Sequence, residues 1–176
     1  HLQKLVDTIN LSKTYAVENP LDYVSIYNRL LSIKKFFPKS TFFEDIKVLR
    51  EFPKKINIRK EVISERVFIY TNTHELEFYL INNDFQAALN KIKDIEKEIT
   101  KLNMDIEPYH IIYFYYLNAI TLIYVGQFHK ALKFINKTLN EFGFDARPQV
   151  YLRIEVLNVI THYELKNHSL VSSLSK

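Results

Sequence analysis

Apolar positions recur every three or four residues along this chain, and polar punctuation cuts the pattern into successive helical stretches. The first, over 2–19, carries Leu2, Leu5, Val6, Ile9 and Tyr15 and closes at Asn19-Pro20. Pro20 suits the first turn of the next helix, where its missing N–H is no loss. That helix, about 21–37, sets Val24, Tyr27, Leu30, Leu31 and Ile33 on a face and stops before Pro38. Ser40 or Thr41, answered by Glu44 in a capping box, opens a third helix with Phe42, Phe43, Ile46 and Leu49 inward, ended by Pro53. The polar, basic run 53–60 reads as an irregular linker. A long helix, about 60–82, follows through Val62, Ile63, Val67, Phe68, Leu76, Tyr79 and Leu80, broken by Asn82-Asn83-Asp84. Asp84 is placed to cap the next, about 85–102, whose Ala88, Ile92, Ile95, Ile99 and Leu102 form one stripe against a charged face. Pro108 to Val125 is apolar nearly all round, as in a helix packed on several sides. Phe128, Ala131, Leu132, Ile135, Leu139 and Phe142 make the following stripe, with Gly143 as a left-handed cap and Phe144 as its contact. Val150 to Leu165 is a further apolar helix, and Asn167-His168-Ser169 turns into a last, short one.

Starts of alternate helices fall into phase. Phe42, Phe85, Phe128 and Leu170 follow one another at intervals of 43, 43 and 42. Three residues on stand Asp45, Ala88, Ala131 and Ser173, then Ile46, Leu89, Leu132 and Leu174. A fixed period of this size marks a helical solenoid, in which each hairpin buries its apolar face on the next. At Asn83-Asp84-Phe85-Gln86-Ala87-Ala88-Leu89 and Gly126-Gln127-Phe128-His129-Lys130-Ala131-Leu132 the chain resembles tetratricopeptide (TPR) repeats, which carry Gly-x-aromatic-x-x-Ala-aliphatic between their paired helices. A period near 43 residues, against that family's 34, implies helices about a turn longer, and the family's Trp is absent. The resemblance implies an all-α fold: one domain over 1–176, an α-α superhelix of antiparallel hairpins. Divergent repeats of this kind occur in bacterial proteins, including peptide-sensing regulators.

Composition narrows the chemistry. Of 176 residues only two are glycine and none is cysteine, so Gly-rich phosphate loops, disulfides and thiolate sites are excluded. Residues 1–66 carry 13 Lys and Arg against 8 Asp and Glu, and the remaining 110 carry 11 against 12. The basic excess is diffuse. Its densest point, Lys54, Lys55, Arg59 and Lys60, reads as solvated surface, and a nucleic-acid interface is the rival. His74-Glu75-Leu76-Glu77 begins like a zinc-protease helix but has no second His one turn on. His162 and His168 lie six apart across a turn, which is not a helical ligand pair. Asp94, Glu96 and Glu98 share their face with Lys91, Lys93, Lys97 and Lys101 and read as an ion-laced solvated face; a metal or acid–base pair is the alternative. No catalytic constellation, metal site or cofactor motif emerges. The Pro108–Val125 run is short of the ~20 residues a membrane span needs and holds His110, Asn118 and Thr121. The opening His1-Leu2-Gln3, without Met or leader pattern, and the short final helix suggest a piece of a longer protein, expected to be cytoplasmic.

In TPR-like arrays the first helix of each hairpin lines the concave side. Carried over by the phase of Phe85, Phe128 and Leu170, the resemblance places Tyr70, Thr73 and Glu77, then Tyr113, Tyr116 and Ile120, then Asn158, His162 and Lys166 in that groove. Tyrosines with a few polar groups suit a peptide or protein ligand. The stronger reading of Tyr113 and Tyr116 is burial against following hairpins, and of Asn158 and His162 a hydrogen-bonded structural role. The expected function is a non-enzymatic scaffold that binds a peptide, another protein or the remaining domains of its own longer chain. The rivals are the sensing half of a transcription regulator and a nucleic-acid-binding repeat.

Overall fold

Each helix of the computed structural model starts and stops close to where proline or a polar turn punctuates the sequence. The structure describes residues 4, 13–57, 60–102 and 106–174. Leu2, Leu5, Val6, Ile9 and Arg59 lie outside them. Among the described residues every regular element is helical: α1 (Lys13–Glu18), α2 (Pro20–Lys34), α3 (Lys39–Glu51), α4 (Lys60–Ile81), α5 (Phe85–Leu102), α6 (Pro108–Tyr124), α7 (Phe128–Glu141), α8 (Pro148–Glu164) and α9 (His168–Leu174). Short 3-10 turns occupy Phe52–Lys55 and Phe144–Ala146. None of these helices is long and apolar enough to cross a membrane. The chain divides into two compact units, His1–Asn82 and Asn83–Lys176.

In the first unit α2, α3 and α4 pack on one another. Val24, Tyr27 and Leu31 of α2 meet Phe42, Ile46 and Leu49 of α3 and Ile63, Val67 and Phe78 of α4 in one core. Phe42 stacks on Phe78 at 4.7 Å, and Tyr23 on Phe52 at 4.2 Å. Phe52, Pro53 and Ile56 are buried while Lys54 and Lys55 are exposed, so the basic stretch is pinned to the core from within. Ile33 and Val62 point outward, because nine residues beyond Val24, or one before Ile63, lies off the buried face of a helix turning ~100° per residue. Tyr15 is exposed as well. The expected Ser40/Thr41 capping box is absent: Pro38 holds the N-cap position of α3, and the Thr41 hydroxyl donates to the Pro38 carbonyl at 3.0 Å.

In the second unit α6 packs on α5, α7 and α8, and α8 packs on α7 and α9 as well. Ile112, Ala119, Ile135, Val150, Ile154 and Leu157 form the core. Ala88, Ile92 and Ile95 of α5 are buried, whereas Asp94, Glu96, Lys97 and Glu98 are exposed, as the amphipathic pattern predicts. Asp84 caps α5, its Oδ1 accepting from the Ala87 N–H at 3.1 Å. Gly143 is not a left-handed cap. Its φ of −82° and ψ of 158° are extended, the chain running straight into the 144–146 turn, and Phe144 is exposed.

Left-handed backbone appears instead at Asn83, Gly126 and Lys166, with φ of 57°, 70° and 61°. Two of these turns close identically. The Gly126 and Gln127 N–H groups donate to the Ile123 and Leu122 carbonyls, and the Lys166 and Asn167 N–H groups to those of Tyr163 and His162, the Schellman pattern. A helix starts two residues after each, at Phe85, Phe128 and His168. The helix expected to start at Phe42 begins at Lys39 and the final one at His168, not at Leu170, so the starts are 46, 43 and 40 residues apart rather than 43, 43 and 42.

Candidate functional site

That shift in phase changes which residues of α8 correspond to those of α6. Counting back from Gly126 and Lys166, Tyr113, Tyr116 and Ile120 match Arg153, Val156 and Ile160, while Asn158 matches Asn118. Asn118 and Asn158 are both buried polar residues, and three residues beyond each a buried threonine donates to its own helix, Thr121 to the Leu117 carbonyl at 2.7 Å and Thr161 to that of Leu157 at 2.6 Å. Asn158 thus sits inside the packing, its Oδ1 without a hydrogen-bond partner among the described residues. His162 is half-buried and accepts at Nδ1 from the Asn167 amide at 3.1 Å. Lys166 is the exposed left-handed residue of the turn itself.

On α4 the three expected positions are occupied inside their own unit. Tyr70 packs against the first core, and Thr73 is half-buried. Glu77 accepts from Lys35 at 2.8 Å and pairs with Nδ1 of His74 at 3.0 Å, and Nε2 of His74 lies 2.8 Å from Oδ1 of Asn28. On another face of α4 Arg50 pairs with buried Glu75 and reaches Oδ1 of Asn72 at 3.2 Å. These groups tie α2 and α3 to α4.

The second unit gathers aromatic rings and guanidinium groups. Tyr113 and Tyr116, one turn apart on α6, stack at 5.8 Å with their planes 19° apart. Both are half-buried, as is Ile120, and all three lean on the core. Arg147 covers the faces of Tyr109 and Tyr113, at 4.0 and 4.2 Å, and donates to the Tyr109 carbonyl at 3.0 Å. Arg153, the α8 residue equivalent to Tyr113, lies 6.0 Å from the centre of the Tyr116 ring. Cations over ring faces are held by the ring quadrupole, so each arginine is oriented before any ligand arrives. Neither arginine, nor Val156 nor Ile160, follows from the phase set at Leu170.

A shallow recess beside the Gly126 turn is lined by Gly126, Gln127, Phe128, His129, Lys130 and Leu165 and holds no pair of groups set for proton transfer. Among the described residues no three His, Asp or Glu side chains converge as a metal site would require. Compared with protein-family models, curated proteins and solved structures, the chain finds no match.

Proposed function

We propose that the chain is a non-enzymatic, TPR-like scaffold that captures a peptide or protein segment on the outer face of its first-position helices. The observation that carries this reading is the meeting of α6 and α8: Tyr113, Tyr116 and Ile120 on one helix, Arg153, Val156 and Ile160 on the other, with Arg153 over Tyr116. The recurring left-handed turns and the shared Asn-x-x-Thr placement support repeated hairpins. Rings half-sunk in a core lose little rotamer freedom on binding. Arginines already posed on those rings favour a segment that offers carboxylates as well as apolar side chains. In the first unit, Glu77 is engaged by Lys35 and His74, which leaves the capture role to the second.

Selection from a random peptide library tests this reading. The wild type is expected to retain acidic, apolar peptides that a Tyr113→Ala/Tyr116→Ala variant loses, with thermal unfolding moved by only a few degrees. A variant that fails to fold makes these rings core. A folded variant with unchanged peptide selection rules the face out.

A further inference from the structure

Among the described residues nothing covers an apolar stripe of α8. Leu152, Val156, Ile160 and Tyr163 are 51%, 58%, 41% and 60% exposed. At ~100° per residue they fall within about 80° of the helix surface. The α6 residues at the same distance before the turn are Ile112, Tyr116, Ile120 and Ile123, and each of these is buried or half-buried in a structure where α8 packs on α6. The matching surface of α6 is thus covered by a helix, and a helix has the shape to cover the stripe.

Charges beside the stripe say which helix. Arg153 and Glu164 lie on one flank, about 20° apart around the axis, and Glu155 and His162 lie on the other, again about 20° apart. The midpoint of both pairs falls between residues 158 and 159. A two-fold axis through that point, perpendicular to α8, lays the helix antiparallel on its own copy. Each flank then faces the same flank reversed, so Arg153 meets Glu164 of the second copy and Glu155 meets its His162, each twice by symmetry. Val156 meets Ile160 of the second copy in the centre, and Leu152 falls near its Tyr163. A parallel two-fold would face opposite flanks, setting Arg153 toward Glu155 of the copy and Glu164 toward its His162, so reversing the charges of Arg153 and Glu164 together restores pairing only in the antiparallel arrangement. We infer that the α8 stripe is a self-association surface and that its occupant is the α8 helix of a second copy of this chain. This surface shares Val156, Ile160 and the flanking Arg153 with the capture face and adds Leu152, Tyr163 and Glu164, so a second copy and a peptide compete for α8.

Light scattering and sedimentation on the 176-residue chain test it. At ~100 µM the mass is expected to be that of two chains, dissociating on dilution. Val156→Glu with Ile160→Glu is expected to give a monomer with an unchanged helical circular-dichroism signal, both positions being open to solvent in one chain. Arg153→Glu alone should raise the dimer dissociation constant about tenfold, and adding Glu164→Arg should restore it to within about threefold of wild type. A monomer at every concentration overturns the inference, and so does a dimer indifferent to Val156→Glu/Ile160→Glu. Failure of the double charge reversal to rescue overturns the antiparallel pairing. A wild-type monomer that still selects peptides sinks this inference and leaves the capture reading standing.

Discussion

Buried polar side chains are where single residues weigh most. Glu75 is only 7% exposed, and its carboxylate is held by Arg50, with the Tyr79 hydroxyl at 3.4 Å. Removing the guanidinium takes the paired cation from a carboxylate held in the packing. Arg50→Ala is therefore expected to cost ~1–3 kcal/mol, the lower part of the buried-pair range because Arg50 itself is partly in solvent. Chemical denaturation measures this, and a change below about 0.5 kcal/mol would show that solvent already carries the pair. Tyr23 responds to pH. Burial, and then hydrogen bonding with Tyr27, pushes its phenol well above the usual tyrosine range. The folded state therefore keeps a proton that the unfolded chain releases from about pH 10 upward. Its contribution is complete below that value and is lost as pH rises above it. Between about pH 9 and pH 11 the wild-type melting temperature should fall more steeply than that of Tyr23→Phe, and parallel curves would contradict this cause. The sequence alone flags Tyr27 as apolar-face and does not flag His74, Asn28 or Glu75 as partners, because their contacts join helices far apart in the chain.

Helices and their turns were the most legible level. Prolines at 20, 38, 53, 108 and 148 mark helix starts and stops, and these follow local chemistry. Two turn assignments went astray for a physical reason. Gly143 looks like a left-handed cap, yet glycine only permits that conformation, and here the chain leaves α7 extended. Lys166 adopts it although a lysine side chain disfavours it. The correct phase was nevertheless written in the chain: Leu117-Asn118-Ala119-Ile120-Thr121 returns as Leu157-Asn158-Val159-Ile160-Thr161, 40 residues on. The shared phase lies in these buried Asn and Thr positions rather than in the helix starts, so a register drawn from Leu170 points to Asn158 and Lys166 where the structure has a buried residue and a turn. Backbone strain predicts opposite outcomes at two equivalent turns. A Cβ at Gly126 would meet no atom within 4 Å, so Gly126→Ala pays only for φ of 70°, about 1 kcal/mol of destabilisation. Lys166→Gly removes that cost and should stabilise by roughly 0.5–1 kcal/mol. Paired thermal melts check both, and a stabilising Gly126→Ala would contradict the left-handed turn.

Two units with their own cores make up the molecule, α2 packing on α4 in the first and α6 on α8 in the second. In the first, His74, Glu75 and Glu77 of α4 are engaged by Lys35, Asn28 and Arg50. In the second, rings and arginines converge where α6 and α8 meet, and α8 carries an open stripe beyond them. That contrast is why the proposed capture face is placed on the second unit. The resemblance to TPR repeats supplied the idea of a first-helix face, while the helix starts supplied its register. Backbone and side-chain NMR of the isotope-labelled chain, titrated with a peptide retained in the library selection, tests the central claim most directly. The account predicts saturable shifts concentrated at Tyr113, Tyr116, Ile120, Arg153, Val156 and Ile160. Shifts confined to the first unit or to the turn around Lys166, with those six unmoved, would contradict it.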